Sequence, residues 1–141
     1  MAEAGALTDR DRLDIIDLLA RYAQCLDLGD LDGYVANFAP DGVLFERHQG
    51  REAIRQFVGE LLERRKTATD MRLHFTGLPV IAGDGLNATA QSYIVWIVTG
   101  DSASPVVGAG RQADTLVKID GRWLFKTRVL TRLANYVAAP V

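Results

Sequence analysis

The sequence predicts an α+β fold, in which three N-terminal helices pack across the concave side of one curved antiparallel sheet. Apolar residues recur at helical spacing in the first half of the chain, whereas the second half holds long β-rich stretches separated by turn sequences. Of the 141 residues, 48% are hydrophobic and 24% are charged, so the chain can bury one core without a disulfide or a metal. We therefore expect a single domain over residues 1–141.

The first predicted helix begins after Thr8, which forms with Asp11 a weaker version of the capping-box pattern. It ends near Asp27, and its apolar stripe consists of Leu13, Ile15, Ile16, Leu18, Leu19, Tyr22, Ala23 and Leu26. Gly29 then offers a stop, because glycine tolerates the positive φ with which many helices end.

The second predicted helix is short: Asp30 can cap it, and it continues through Phe38 to the breakers at 40–42. A short strand is predicted at 43–46. The third helix covers 51–65 and has a clear apolar stripe, formed by Ala53, Ile54, Phe57, Val58, Leu61 and Leu62.

Four β-rich stretches follow, at about 71–81, 87–99, 105–119 and 122–134. Asp-Gly pairs in two of the connections favour tight hairpin turns, so we expect an antiparallel meander. Gly108 and Gly110 lie inside the third stretch and predict a bulge or bend. Such a bend would curl the sheet around a cavity.

Composition argues against several classes of partner. The net charge is −2, with 16 basic and 18 acidic residues and no long basic run, so nucleic acid is not an expected partner. No apolar run approaches the roughly 18–20 residues that span a bilayer. The single cysteine, Cys25, cannot form an internal bridge, and the first residues show no signal-peptide pattern, so we expect a cytoplasmic protein.

The sequence contains no recognisable cofactor motif. It has no Gly-rich phosphate loop and no dinucleotide fingerprint between a strand and a helix. The two histidines, His48 and His74, lie in separate elements without a carboxylate at ligand spacing, so no metal site is expected. We therefore expect any chemistry to be cofactor-free.

Two polar residues stand out because they lie inside apolar segments: Asp27 and His74. A carboxylate beside an imidazole makes a base that works near neutral pH, so their meeting in the fold would indicate an enzyme. The alternative is structural: Asp27 ends a helix and His74 is a satisfied strand histidine. Met71, Leu73 and Phe75 form the apolar side of that strand, which would leave His74 facing solvent.

Two arginines are further candidates for the site. Arg111 and Arg128 fall on neighbouring predicted strands, and a guanidinium pointing inward could hold an anionic leaving group or an enolate oxygen. Asp114 could instead pair with either arginine on the outside of the sheet. Tyr22, Phe57 and Trp96 can line an apolar pocket or belong to the core.

The chain resembles the SnoaL-like branch of the nuclear transport factor two-like superfamily over about residues 8–131. The matching segments are DRLDIIDLLARYAQCLDLGDLDGYVANFAPDGV, GREAIRQFV, RLHFTGLPV, GAGRQADTLV and DGRWLFKTRVL. The resemblance implies a cone of curved sheet closed by three helices. This scaffold hosts isomerases, cyclases, dehydratases, hydrolases and proteins without chemistry, so it does not name a reaction.

Within that superfamily, Asp27 and His74 match the dyad of scytalone dehydratase and of hexachlorocyclohexane dehydrochlorinase. The resemblance implies that His74 is a general base, that Asp27 orients it, and that Arg128 assists a leaving group. This sequence departs from the dehydratase pattern, which includes a second histidine and two tyrosines. Leu26 precedes Asp27, Phe45 stands where a tyrosine is expected, and the segment SYIVWIV lacks a histidine.

These observations predict a cofactor-independent lyase, dehydratase-like or dehydrohalogenase-like, acting on a small, largely apolar cyclic molecule. An isomerase or polyketide cyclase using the same base, and a non-catalytic ligand-binding domain, remain alternatives. The stretch SYIVWIV is apolar on both sides of a strand, so we also expect its outer side to pair with a second copy in a homodimer.

Overall fold

A computed structural model describes residues 5–67, 71–100 and 105–137. Three helices and seven strands make up these described parts of the chain, and they confirm the predicted α+β class. The elements are α1 (Asp9–Leu28), α2 (Leu31–Ala36), β1 (Phe38–Leu44), β2 (His48–Gln49), α3 (Gly50–Arg65), β3 (Met71–Thr76), β4 (Val80–Gly83), β5 (Asn87–Thr99), β6 (Val106–Ile119) and β7 (Arg122–Val137).

The seven strands form one open sheet in the order β2-β1-β7-β6-β5-β3, with β4 also paired to β5. Strands β5, β6 and β7 form the predicted meander, and every pairing is antiparallel except that of β1 with β7. The register shifts between Ala109 and Gly110, where the two glycines predict a bend. Gly108 has a further role: a Cβ there would lie 2.0 Å from the Trp96 ring, so only glycine lets that ring lie across β6.

Local sequence signals set the limits of helix α1. Thr8 and Asp11 form a complete capping box, in which the Thr8 hydroxyl accepts from the Asp11 N–H and the Asp11 carboxylate accepts from the Thr8 N–H. Gly29 ends the helix at φ 73°, in the left-handed conformation predicted for it.

Several predicted boundaries are wrong. The second helix ends at Ala36 rather than Phe38, and the expected breakers at 40–42 lie inside strand β1. The predicted strand at 71–81 is two strands, because Gly77 and Pro79 interrupt it. The predicted strand at 43–46 ends at Leu44, since Phe45 and Glu46 form a turn.

The core lies between the helices and the concave side of the sheet. Helix α1 buries Ile15, Leu18 and Leu19, and α3 buries Ile54 and Val58. Facing them from the sheet and α2 are Tyr34, Val35, Phe38, Leu44, Leu116, Trp123 and Phe125. Among the described residues, no helix combines the length and apolarity needed to cross a membrane.

Candidate functional site

A cavity of about 270 Å³ opens between the concave side of the sheet and helices α1 and α3. It is lined mainly by aromatic and aliphatic side chains, with a few polar groups among them, which is the composition typical of small-molecule sites. The lining residues are Tyr22, Leu26, Tyr34, Phe45, Phe57, Val58, Leu61, Arg65, Arg72, His74, Ile94, Trp96, Gln112, Leu130 and Arg132.

Asp27 and His74 meet at the edge of this cavity although 47 residues separate them in the chain. Oδ1 of Asp27 lies 2.5 Å from Nδ1 of His74, and Oδ2 accepts the backbone N–H of His74 at 2.8 Å. Their side chains are 14% and 15% exposed. The carboxylate therefore fixes both the backbone and the ring of the histidine.

The pairing of β3 with β5 brings His74 to the inner face of the sheet, opposite Trp96. Its neighbours on the strand, Met71, Leu73 and Phe75, point outward and are 61%, 39% and 57% exposed. The apolar side of this strand thus faces away from the core. The structural alternative that left His74 in solvent assumed the opposite orientation.

The contact with Asp27 defines the hydrogen-bonding state of the ring. A carboxylate can only accept, so Nδ1 of His74 must carry a proton. In the neutral ring the lone pair then lies on Nε2, on the side away from Asp27. Among the described residues Nε2 has no hydrogen-bond partner, and His74 lines both this cavity and a neighbouring one of about 220 Å³ beside residues 75–79.

Below the cavity lies a buried polar cluster around Arg128, whose side chain is fully buried. Its Nη2 donates to Oε1 of Gln112 at 2.5 Å, and its Nε lies 3.2 Å from Oδ1 of Asp114. The guanidinium also stacks 4.0 Å from the centre of the Tyr22 ring and 4.4 Å from that of Phe125. Arg128 therefore supports two cavity-lining residues, Tyr22 and Gln112, from behind.

Burial dominates the titration of this cluster. It raises the pKa of Asp114 to about 6, and the charge of Arg128 only partly opposes the shift. It also raises the pKa values of Tyr22 and Tyr34. The Tyr34 hydroxyl donates to that of Tyr22 at 2.6 Å, so both phenols stay protonated and hydrogen-bonded at the cavity wall.

A model of the SnoaL-like domain matches residues 8–129 of the chain, which is most of its length. The chain belongs to the SnoaL-like family. No functionally curated protein matches this SnoaL-like chain.

Solved structures share the fold of this SnoaL-like domain. A protein of unknown function with a cystatin-like fold from Nostoc punctiforme PCC 73102 is 28% identical with a TM-score of 0.77, over 91% of this chain and 95% of that one. A protein from Catenulispora acidiphila in complex with S-DNPA is 27% identical with a TM-score of 0.75, over 89% and 95%. A candidate scytalone dehydratase from Novosphingobium aromaticivorans DSM 12444 is 23% identical with a TM-score of 0.77, over 92% and 89%.

The structure of this SnoaL-like domain brings five of the seven residues singled out in the sequence to the cavity. Tyr22, Phe57, His74 and Trp96 line it, and Asp27 contacts His74 from the side.

The two arginines singled out in the sequence lie elsewhere. Arg128 does not line the cavity because its side chain is fully buried, and it pairs with Asp114 on the inner face, not outside. Arg111 points to the opposite face of the sheet, where its guanidinium lies 5.7 Å from the centre of the Tyr93 ring.

Sequence reasoning missed three arginines of the SnoaL-like site, Arg65, Arg72 and Arg132. The signal for two of them was present, because side chains alternate along a strand. Arg72 shares the face of His74, two residues away on β3. Arg132 shares the face of Leu130 on β7. The described residues hold no group of three or more side chains arranged to bind a metal ion.

Proposed function

We propose that this SnoaL-like domain is a cofactor-independent lyase of the dehydratase or dehydrohalogenase type. The observation that carries the proposal is the 2.5 Å contact between Asp27 Oδ1 and His74 Nδ1 at the edge of a cavity. A buried carboxylate on one ring nitrogen orients the imidazole and stabilises the imidazolium that forms when the other nitrogen takes a proton.

The reaction is an elimination. His74 Nε2 removes a proton from a substrate carbon, and the electron pair of that C–H bond forms a double bond to the neighbouring carbon. The leaving group departs with its own electron pair, as halide or as hydroxide. Hydroxide takes the proton back from the His74 imidazolium to give water; after loss of halide the imidazolium releases its proton to solvent water, and either path restores the neutral base.

In this proposal Arg128 is a positioning residue. It holds the Gln112 amide and the Tyr22 ring, and these two side chains reach the ligand. A cavity of about 270 Å³ with mostly apolar walls suits a small cyclic molecule of one or two rings, since pockets for larger ligands reach about 1,000 Å³.

One observation favours a second candidate, an isomerase or cyclase that forms an enolate with the same base. Tyr22, Tyr34 and Gln112 line the cavity. Because the Tyr34 hydroxyl donates to that of Tyr22, the Tyr22 O–H and the Gln112 amide are the donors that can stabilise an enolate oxygen. An enolate that is reprotonated or attacks a carbonyl would release no leaving group, so product analysis separates the two reactions.

The test uses cyclic ketones that carry a hydroxyl or halide β to the carbonyl, incubated with the protein in deuterated water. We expect release of water or halide by the wild type and a loss of roughly 10²- to 10⁴-fold in His74→Gln, the usual range for a general base. His48→Gln is the matched control, because His48 does not line the cavity and only stacks on Phe57 from outside it. We expect this variant to retain activity. Deuterium uptake without release of a leaving group would favour the isomerase. If neither reaction occurs, the result would favour a non-catalytic binding role.

We also propose that the domain forms a homodimer through the outer face of its sheet. Leu73, Phe75 and Tyr93 lie on that face of β3 and β5 and are 39%, 57% and 62% exposed. A contiguous apolar patch of this kind is typical of interaction surfaces.

Sedimentation at micromolar concentration tests the dimer. We expect a species of twice the 15.4 kDa chain mass, converted to monomer by Tyr93→Glu but not by Leu13→Glu on the exposed side of α1. A 15.4 kDa species alone in the wild type would refute the dimer.

A further inference from the structure

Positive charge is concentrated around the cavity of this otherwise slightly acidic chain. Arg65, Arg72 and Arg132 line the cavity, and the described lining residues include no carboxylate. Arg65 and Arg72 also border a neighbouring cleft of about 280 Å³, which Asp27 and Lys66 line as well, Lys66 being paired with Glu63. With a net charge of −2 for the whole chain, this concentration is a local feature.

We propose that the site binds an anion: a planar ring system with a carboxylate at its edge, held by these arginines. The proposal rests on the proposed function only for the location of the site. Guanidinium groups suit a carboxylate because their planar N–H edge can donate two parallel hydrogen bonds. Each guanidinium has five N–H donors, so one contact with another protein group does not by itself use all of them.

Trp96 and Arg132 show where such a ligand would lie. The Arg132 guanidinium stacks 5.2 Å from the centre of the Trp96 ring. Stacking uses the face of the guanidinium and leaves its N–H edge for hydrogen bonds. A ligand ring that packs on Trp96 would therefore place a carboxylate at its own edge near the N–H groups of Arg132.

A second aromatic pair also lines the cavity, and part of it is built at some conformational cost. Phe45 and Phe57 meet edge to face, with ring centres 6.2 Å apart, and both line the cavity. The backbone of Phe45 lies at φ 54°, a conformation that favours glycine. The cavity thus offers the aromatic surface of Trp96, Phe45 and Phe57, which suits a flat ring.

Binding an anion at this place has a consequence for the proton transfer. A carboxylate held by the arginines would fix which carbon of the ring faces Nε2 of His74. When that carbon loses its proton, the ligand gains a second negative charge. The same cations would stabilise this charge, because electrostatic interactions are stronger in a partly desolvated site.

The test compares two ligands of the same shape that differ in charge, 2-naphthoate and 2-naphthamide, by isothermal titration at low salt. We expect naphthoate to bind at least about tenfold more tightly, and this preference to shrink as salt is added. Arg132→Gln and Arg72→Gln should each reduce the preference to about threefold or less. Arg122→Gln is the control: it removes the same charge from the far end of β7 and should keep the preference.

Equal affinities for the two ligands, no binding of either at millimolar concentration, or the same loss in Arg122→Gln would overturn the proposal. A preference for naphthoate without any elimination activity would refute the lyase and support the anion site. Elimination from neutral substrates, together with equal affinities for naphthoate and naphthamide, would support the lyase and refute the anion site.

Discussion

The two ends of the sheet use a carboxylate of helix α1 in opposite ways. We call the end of the sheet at the β6–β7 turn, beside the start of α1, the closed end. There Asp11 accepts hydrogen bonds from the N–H and hydroxyl of Thr8, from Lys118 Nζ and from Trp123 Nε1. At the cavity end, Asp27 gives both oxygens to a single residue, His74. The first carboxylate joins three segments of chain, and the second orients one titratable ring.

The turns at the two ends differ in the same sense. Each has two consecutive residues at positive φ: Asp120 and Gly121 between β6 and β7, and Phe45 and Glu46 after β1. Aspartate and glycine suit this conformation, whereas phenylalanine and glutamate do not. The closed end therefore follows local sequence rules, and the cavity end departs from them, as is common where a site needs a particular geometry.

Of the changes that test whether Asp27 and Asp11 differ in role, Asp27→Asn should have the largest effect. An asparagine oxygen can still accept the His74 backbone N–H, but its NH₂ would donate to Nδ1 and move the ring proton to Nε2. The base then loses its lone pair toward the cavity, so we expect kcat/KM to fall by roughly 10²- to 10⁴-fold. The unfolding free energy should change by no more than about 1 kcal/mol.

Steady-state kinetics and urea denaturation check this prediction together. Asp17→Asn is the matched control, since Asp17 is an exposed carboxylate of the same helix. A large loss of stability in Asp27→Asn, with activity per folded molecule unchanged, would instead give Asp27 the same structural role as Asp11.

The second largest effect is expected at the closed end, for Asp11→Ala. This change leaves the buried Trp123 N–H and the Lys118 ammonium without their acceptor and breaks the capping box. We expect a loss of about 2–4 kcal/mol of unfolding free energy, with kcat/KM of the folded protein unchanged. Urea denaturation measures the loss, and Asp9→Ala, an exposed change in the same helical turn, should cost far less.

The closed end was also the more predictable one from sequence. Its capping box and the Asp120–Gly121 turn each follow from the chemistry of neighbouring residues. At the cavity end the Gly29 stop of α1 follows from local chemistry in the same way. The three helices and the meander were predictable for the same reason, because periodic apolar patterns record which face is buried.

The cavity end depends on pairing between distant segments, which local patterns do not record. The orientation of β3 is the clearest case, since its apolar side faces outward and its polar side carries His74. Arg128 reached its buried position through contacts with Gln112, Asp114 and Tyr22, from two other segments of the chain. The inward orientation of His74 and the burial of Arg128 therefore depend on strand register and on position within the sheet, not on residue type.

A third carboxylate, the buried Asp114, would extend the comparison to pH. Its pKa is about 6 in the folded chain and 3.8 ordinarily, so the folded state binds the proton more tightly. The stability this provides is complete below about pH 4 and is lost as pH rises through 6. Asp11 behaves oppositely: the hydrogen bond from Lys118, with those from Thr8 and Trp123, lowers its pKa, so its contribution is lost as pH falls through the lowered folded pKa.

Urea denaturation of Asp114→Asn between pH 4 and 7 checks the sign. The asparagine stays neutral, so the variant should gain on the wild type as pH rises, by on the order of 2–3 kcal/mol over this range. Asp11→Ala should show the opposite trend below about pH 4. A constant difference between Asp114→Asn and the wild type would mean that Arg128 keeps Asp114 charged throughout.

The smallest effects are expected in the two turns, and they have opposite signs. Gly121 lies at φ 77° with nothing within 4 Å of an added Cβ, so Gly121→Ala introduces only backbone strain and should cost about 1 kcal/mol. Glu46 already bears that strain at φ 60°, so Glu46→Gly should stabilise the fold by about 0.5–1 kcal/mol. Thermal unfolding resolves both changes. The comparison would fail if Gly121→Ala stabilised the protein and Glu46→Gly destabilised it. Glycine would then be unfavourable in both turns, and the positive φ of Glu46 would carry no strain that glycine could relieve.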